Sequence, residues 1–165
     1  IRAIQDVLAK RATLLEQSYS DSLNYAYFQS QRNKMFDKAK EEGVAYLAKN
    51  ATRPEVTTTE SGLQYEVLVP AEGPKPTDSN TVTVHYVGML LNGDMFDSSV
   101  DRGEPATFPL SRVIAGWTEG VQLMNTGAKY RFYLPYDIAY GSRGAGADIP
   151  PYSTLIFDIE LLSWK

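Results

Sequence analysis

The sequence predicts an α+β fold, an antiparallel sheet folded over one short helix and preceded by a long helical lead. Three observations predict it. The first fifty residues place apolar side chains at helical spacing, and the segments from Leu63 onward alternate like strands with no βαβ alternation among them. A short helical pattern starting at Trp117 then interrupts the strands. Pro109 and Gly116 break regularity on either side of Val113 and Ile114, so the backbone turns before Trp117, Val121 and Met124 recur at helical spacing. A helix of one or two turns does not hold itself in water and must lie against the sheet.

Taken in order, Ile1, Ile4, Leu8 and Leu15, with Val7 and Leu14 beside them, form a broad stripe like one helix of a bundle. A second helix is expected to start at a Ser20-Asp21 cap and to run through Leu23, Tyr27, Met35, Ala39 and Tyr46 to about Lys49, interrupted by Gly43. Some ~28 residues at ~1.5 Å each give a rod of roughly 40 Å, longer than a small domain is wide, so part of it is expected to project as a stalk. The polar runs from Gln29 to Lys34 and from Asp37 to Glu42 suit such a solvated surface. Arg53-Pro54 and the run Thr57 to Thr59 end the helix, because a residue before proline is pushed towards extended geometry and threonine favours strands. The domain boundary is placed near Asn50, with residues 1–50 a helical segment and residues 51–165 a domain holding its own core from Gly62 onward. Strands are expected at Leu63 to Val69, Thr81 to Leu91, Met95 to Asp97, Ala106 to Leu110, Lys129 to Pro135 and Thr154 to Leu162. Asn92-Gly93 is the strongest hairpin signal.

Composition excludes several function classes. A net charge of −4, with cations scattered among acids, supplies no field for nucleic acid. The absence of cysteine excludes disulfides, thiolate metal sites and thiol nucleophiles. No apolar run approaches the ~20 residues of a membrane span. Because the chain opens on Ile1, a longer precursor is expected. The single histidine, His85, alternates with Val84 and Tyr86 and is expected to face away from the core, and no Gly-x-Ser-x-Gly elbow accompanies it. The Gly141 to Gly146 run has the wrong order for a dinucleotide fingerprint and reads as a surface loop. Asp97, Asp101 and Glu104 are candidates for a glycosidase pair or for metal ligands, set against the plainer reading of acids solvated or paired to Arg102. The aromatic inventory exceeds what the core of a small sheet needs, and an aromatic pocket with a few polar handles suits a proline ring and its preceding carbonyl.

The motifs Val84-His-Tyr-Val-Gly-Met-Leu90, Phe96-Asp-Ser-Ser99, Val113-Ile-Ala-Gly-Trp117, Ala139-Tyr-Gly141, Ile149-Pro-Pro151 and Leu155-Ile-Phe-Asp-Ile-Glu-Leu-Leu162 resemble the FKBP-type peptidyl-prolyl isomerases. Ser61-Gly-Leu-Gln-Tyr65 and Arg102-Gly-Glu-Pro-Ala106 resemble the bacterial macrophage infectivity potentiator-like subfamily. The resemblance implies a strongly bent antiparallel sheet wrapped around one short helix, and a site carried by Tyr86, Phe96, Asp97, Trp117, Tyr140 and Phe157. Val113, Ile114, Phe108, Ile149 and Arg102 would bind substrate, with the Ile114 N–H and the Tyr140 hydroxyl donating to carbonyls. It further implies no cofactor, partners that are proline-containing peptides, unfolded proteins and the macrolides rapamycin and tacrolimus, and a homodimer through N-terminal helices of which Ile1 to Asn50 is the tail. The compartment stays open between bacterial cytoplasm and periplasm or cell envelope. Ala106, where the family often has an aromatic, and Ala145 and Asp148, which replace bulkier flap residues, bear on peptide preference. The alternative function is a noncatalytic peptide-binding chaperone using the same pocket.

Overall fold

A computed structural model describes the backbone of residues 2–165, and the side chains of these except 2, 3, 6, 8, 9, 12–16 and 18. It contains two compact units, Ile1–Lys38 and Ala39–Lys165. Residues 2–38 of the first belong to helix α1 (Arg2–Asn50), which is continuous where the sequence predicts two helices. No glycine or proline precedes Gly43, and the polar groups near the expected cap are used along the helix instead. Ser22 Oγ donates to the Tyr19 carbonyl at 2.8 Å, and Asp21 accepts from Gln17 one turn earlier. Of the expected N-terminal stripe, the side chains of Ile1, Leu8, Leu14 and Leu15 lie outside the described residues, while Ile4 and Val7 are exposed. Tyr19, Leu23, Tyr27, Phe28 and Met35 are exposed in the same unit. No helix among the described residues is long and apolar enough to cross a membrane.

The second unit is built on one antiparallel sheet. Its strands are β1 (Thr57–Thr58), β2 (Gln64–Val69), β3 (Thr81–Leu90), β4 (Met95–Ser98), β5 (Ala106–Pro109), β6 (Lys129–Leu134) and β7 (Leu155–Trp164). They lie in the order β1-β2-β6-β7-β3-β4, with β5 pairing the first half of β3. The strands expected from the sequence are present to within two residues, and β1 is an added two-residue edge. Period-two alternation buries Val82, Val84 and Tyr86 from β3 and Leu155, Phe157, Ile159 and Leu161 from β7 on one face. The Asn92-Gly93 turn closes as expected, with Gly93 at φ 90° and Leu90 N–H bonded to the Asp94 carbonyl at 2.9 Å. Helix α2 (Ala115–Val121) adds Trp117 and Val121 to the same core, joined by Met124 just beyond it.

The end of α1 belongs to this unit. Gly43 is buried, and a Cβ there would overlap the Thr154 hydroxyl, so the glycine permits a close approach. Asn50 Nδ2 donates to Gln64 Oε1 at 2.9 Å, and Gln64 Nε2 donates to the Leu47 carbonyl at 2.9 Å. Arg53 donates to Asn50 Oδ1 and the Tyr133 hydroxyl, each at 3.0 Å, and to Glu66 Oε2 at 2.5 Å. The Glu66 side chain is only 7% exposed, so its charge depends on Arg53 and on the Tyr133 hydroxyl, which donates to Oε1 at 3.2 Å. The apolar core does lie beyond Gly62, but the polar groups of β2 are completed by residues before it.

A fragment beginning at Ala39 is therefore expected to keep the stability of this unit, measured by its urea midpoint. One beginning at Thr57 removes Arg53 and strands a buried carboxylate, and is expected to lose about 2 to 4 kcal/mol, less than for a fully buried pair because Arg53 is partly exposed. Equal midpoints for the two fragments would show that this network contributes nothing.

Candidate active site

The site grows from the way α2 meets the sheet. Trp117 is 5% exposed and stands edge-on to three rings: Tyr86 at 5.2 Å between centroids, Phe157 at 5.3 Å and Phe108 at 5.7 Å, with interplanar angles of 83° to 87°. Such edge-to-face contacts add about 0.5–1.5 kcal/mol each beyond area burial and fix the rings in orientation. Phe96 extends the wall by meeting Phe157 at 5.5 Å and 84°. Gly88 makes this possible, since a Cβ there would lie 2.6 Å from Phe96 and 2.8 Å from Phe157. The result is a cavity of about 300 Å³ over the indole.

Nine of the residues expected at the site line this one cavity: Tyr86, Phe96, Asp97, Phe108, Val113 and Ile114, then Trp117, Tyr140 and Phe157. Ile149 lines an adjoining recess, and Arg102 stands behind the wall, paired with Asp97. Arg112 also lines the cavity and went unnoticed in the sequence, where it sits in a single-turn 3-10 helix (Leu110–Arg112) among residues read for their apolar pattern.

The polar rim is a chain of charge-assisted bonds. The Tyr86 hydroxyl donates to Asp97 Oδ2 and accepts from Arg102 Nη2 at 3.0 Å, while Arg102 Nη1 donates to Asp97 Oδ1 and its guanidinium sits 5.6 Å over the Tyr86 ring. Burial pushes the Asp97 carboxyl up, but the bonds from Tyr86 and Arg102 outweigh it and hold the group below the ordinary aspartate range. Burial raises the Tyr86 hydroxyl above the ordinary tyrosine range, as does its bond to Asp97. Tyr140 is raised too, by burial and then by the Asp97 charge. Asp97 is thus a committed anion at neutral pH, not a proton carrier.

Two polar groups on residues that line the cavity lack protein partners among the described residues. The Ile114 N–H makes no hydrogen bond, although its carbonyl accepts from Trp117 and Thr118 at 2.9 and 3.1 Å, and the Tyr140 hydroxyl makes none. The buried Trp117 Nε1 is likewise unpaired. His85 faces away, as expected, with Nδ1 3.1 Å from Ser99 Oγ. That pair is not a nucleophile and base, because Ser99 is wholly buried and its oxygen accepts the Tyr86 N–H at 2.8 Å. Asp101 and Glu104 do not line the cavity, so no carboxylate pair faces across it.

A bent antiparallel sheet is closed over a short helix, with an aromatic cavity between them of a size and lining that suit a small apolar ring. Comparison with known proteins names the family. The model of the FKBP-type peptidyl-prolyl cis-trans isomerase matches residues 73–162, and that of the domain amino terminal to it matches residues 1–67. The chain belongs to the FKBP-type peptidyl-prolyl cis-trans isomerase family. It is 46% identical to the FKBP-type isomerase FkpA of Aeromonas hydrophila, over 99% of this chain and 63% of that protein. It is 51% identical to a 22 kDa FKBP-type isomerase of Escherichia coli K12, over 79% of this chain and 64% of that protein. The crystal structure of FkpA from Escherichia coli superposes with a TM-score of 0.79 at 42% identity, over 83% of this chain and 64% of that one. The chain thus spans a little under two thirds of these relatives.

The rim makes a pH prediction. A carboxyl held below its ordinary pKa contributes stability that is present above the unfolded value and lost as pH falls through the folded one, while a tyrosine held above its ordinary value contributes below about 10 and loses it on further alkalinisation. Stability from this rim is therefore expected to fall only in acid below about pH 4 and in base above about 10. Peptide turnover is expected to be flat from pH 6 to 9, and a steep rate change inside that window would mean that a rim group exchanges protons with substrate.

Proposed function

We propose that this chain catalyses cis/trans isomerisation of X-Pro bonds in peptides and unfolded proteins without a covalent step. The observation that carries this is the aromatic cavity over Trp117, bordered by unpaired N–H and hydroxyl donors and by an anion neutralised from behind. Amide resonance sets a barrier of ~18–20 kcal/mol, and the twisted transition state has lost that resonance and its C–N polarity. A proline ring seated on Trp117 removes the amide from water, which favours the twisted form over the planar, solvated one. In this reading the Ile114 N–H and the Tyr140 hydroxyl hold flanking carbonyls. Arg102 keeps Asp97 and Tyr86 in place, and each ~1.4 kcal/mol of preference for the twisted form is tenfold in rate.

The test is an exchange measurement on a short X-Pro peptide with and without the macrolides rapamycin and tacrolimus. Acceleration abolished by either macrolide is expected; tight binding without acceleration would favour a peptide-holding chaperone and overturn the proposal. Trp117→Ala is expected to lose macrolide binding and about 3–5 kcal/mol of stability, as for other buried aromatic truncations. Tyr140→Phe should stay folded and bind about 0.5–1.5 kcal/mol more weakly, the contribution of one hydrogen bond. Unchanged inhibitor binding by Tyr140→Phe would remove the hydroxyl from the site.

The same reading divides the chain into a helical segment of residues 1–50, serving dimerisation and as a stalk, and an isomerase domain of residues 51–165. The exposed Tyr19, Leu23 and Tyr27, spaced one turn apart, with Phe28 and Met35, support a second copy as the partner of this helix. Two pockets in one dimer would engage a large client with greater avidity and leave short-peptide chemistry unchanged. Sedimentation is expected to give a dimer for residues 1–165 and a monomer for a fragment from Ala39, with equal tetrapeptide rates; two monomers would show that residues 1–50 do not by themselves form the interface.

A further inference from the structure

Beside the proline cavity lies a second recess of about 240 Å³, which shares Phe96, Asp97 and Tyr140 with it and adds Ala145, Asp148 and Ile149. The shared residues make the two adjacent, so a chain whose proline occupies the first can lay a neighbouring side chain over the second. The charges at this recess are unequal in availability. Asp97 is already paired with Arg102, whereas Asp148 has no hydrogen bond or ion pair among the described residues. The available cations do not reach it: Arg112 borders the other cavity, and Arg143, on the same loop, does not line the recess.

The loop that carries Asp148 is anchored. Ala145 and Ile149 exchange two backbone bonds, N–H to carbonyl at 2.9 Å and 3.1 Å, and Ile149 is buried below the tip. Asp148 therefore stands on a short hairpin at the lip, with Phe96 and Ile149 as an apolar floor. An apolar floor ending in an unpaired carboxylate matches one kind of side chain, a flexible aliphatic stem with a cation at its end.

The geometry points to this recess as a subsite for a lysine or arginine flanking the substrate proline, with Asp148 as the residue that sets the preference. This rests on the isomerase reading above, and deepens it by naming the substrate class. The ion pair would form at an exposed lip, so its effect is modest and sensitive to salt.

The test uses the full chain and two series of tetrapeptides, Ala-Xaa-Pro-Phe and Ala-Ala-Pro-Xaa, with Xaa as Lys, Leu or Glu, followed by NMR exchange. Rates are normalised to the Leu peptide for each variant. In one series the Lys peptide is expected to exceed the Glu peptide by about threefold to fivefold in kcat/KM at low salt, the upper range for an exposed pair. Asp148→Asn should bring that ratio close to one, Asp148→Lys should invert it, and Asp148→Glu should keep it. A ratio that is near one in wild type in both series, or that Asp148→Asn leaves unchanged, overturns the subsite while the isomerase reading stands. No acceleration of the Leu peptide by wild type would overturn the isomerase reading, and the subsite with it.

Discussion

A seven-residue helix cannot persist alone in water, and α2 persists because its tryptophan is held edge-on by three rings from three strands. That arrangement makes the cavity as well as the core. Each ring that fixes Trp117 also presents a face or an edge to the space above it, so the packing that stabilises the domain is the wall of the site. Gly88 belongs to the same constraint, since any side chain there would push Phe96 and Phe157 apart and open the wall.

The polar rim depends on this framework. The Asp97 carboxylate at the edge of an apolar cavity would be costly unless its charge were met; the hydroxyl of the cavity-lining Tyr86 and Arg102, which does not line the cavity, both donate to it. The cavity therefore gains a polar edge without a free proton carrier. Such electrostatics are consistent with the proposed mechanism, exclusion of water and placement of donors, since a general acid or base needs a group able to titrate near neutrality.

The junction between α1 and the sheet uses the same logic at another place. Glu66 is buried on β2, and the guanidinium that neutralises it comes from the turn after the helix, so the end of α1 and the sheet fold as one body. Gly43 lets the helix approach closely enough for this to happen.

Local pattern determined a great deal in this chain. The alternation of Val82, Val84 and Tyr86 against His85 settled which face of β3 is buried, Asn92-Gly93 settled a hairpin, and the spacing of Trp117, Val121 and Met124 located α2. These are properties of neighbours in sequence, where backbone geometry alone decides which way a side chain points. The motifs that resembled the family were legible for the same reason, and they named nearly every residue around the cavity. What the tertiary structure decided involves partners that sequence separation hides. The bond from Arg53 to the Tyr133 hydroxyl joins residues 80 positions apart, and nothing in either neighbourhood announces it. The continuity of α1 through Ser20 was hidden because a serine or aspartate caps a helix or bonds along one with equal ease, and the surrounding turns choose. Arg112 looked like an ordinary surface charge, and Asp148 stood out only as a departure from the family's flap; their places beside the two cavities follow from how loops far apart in the chain are brought together over α2.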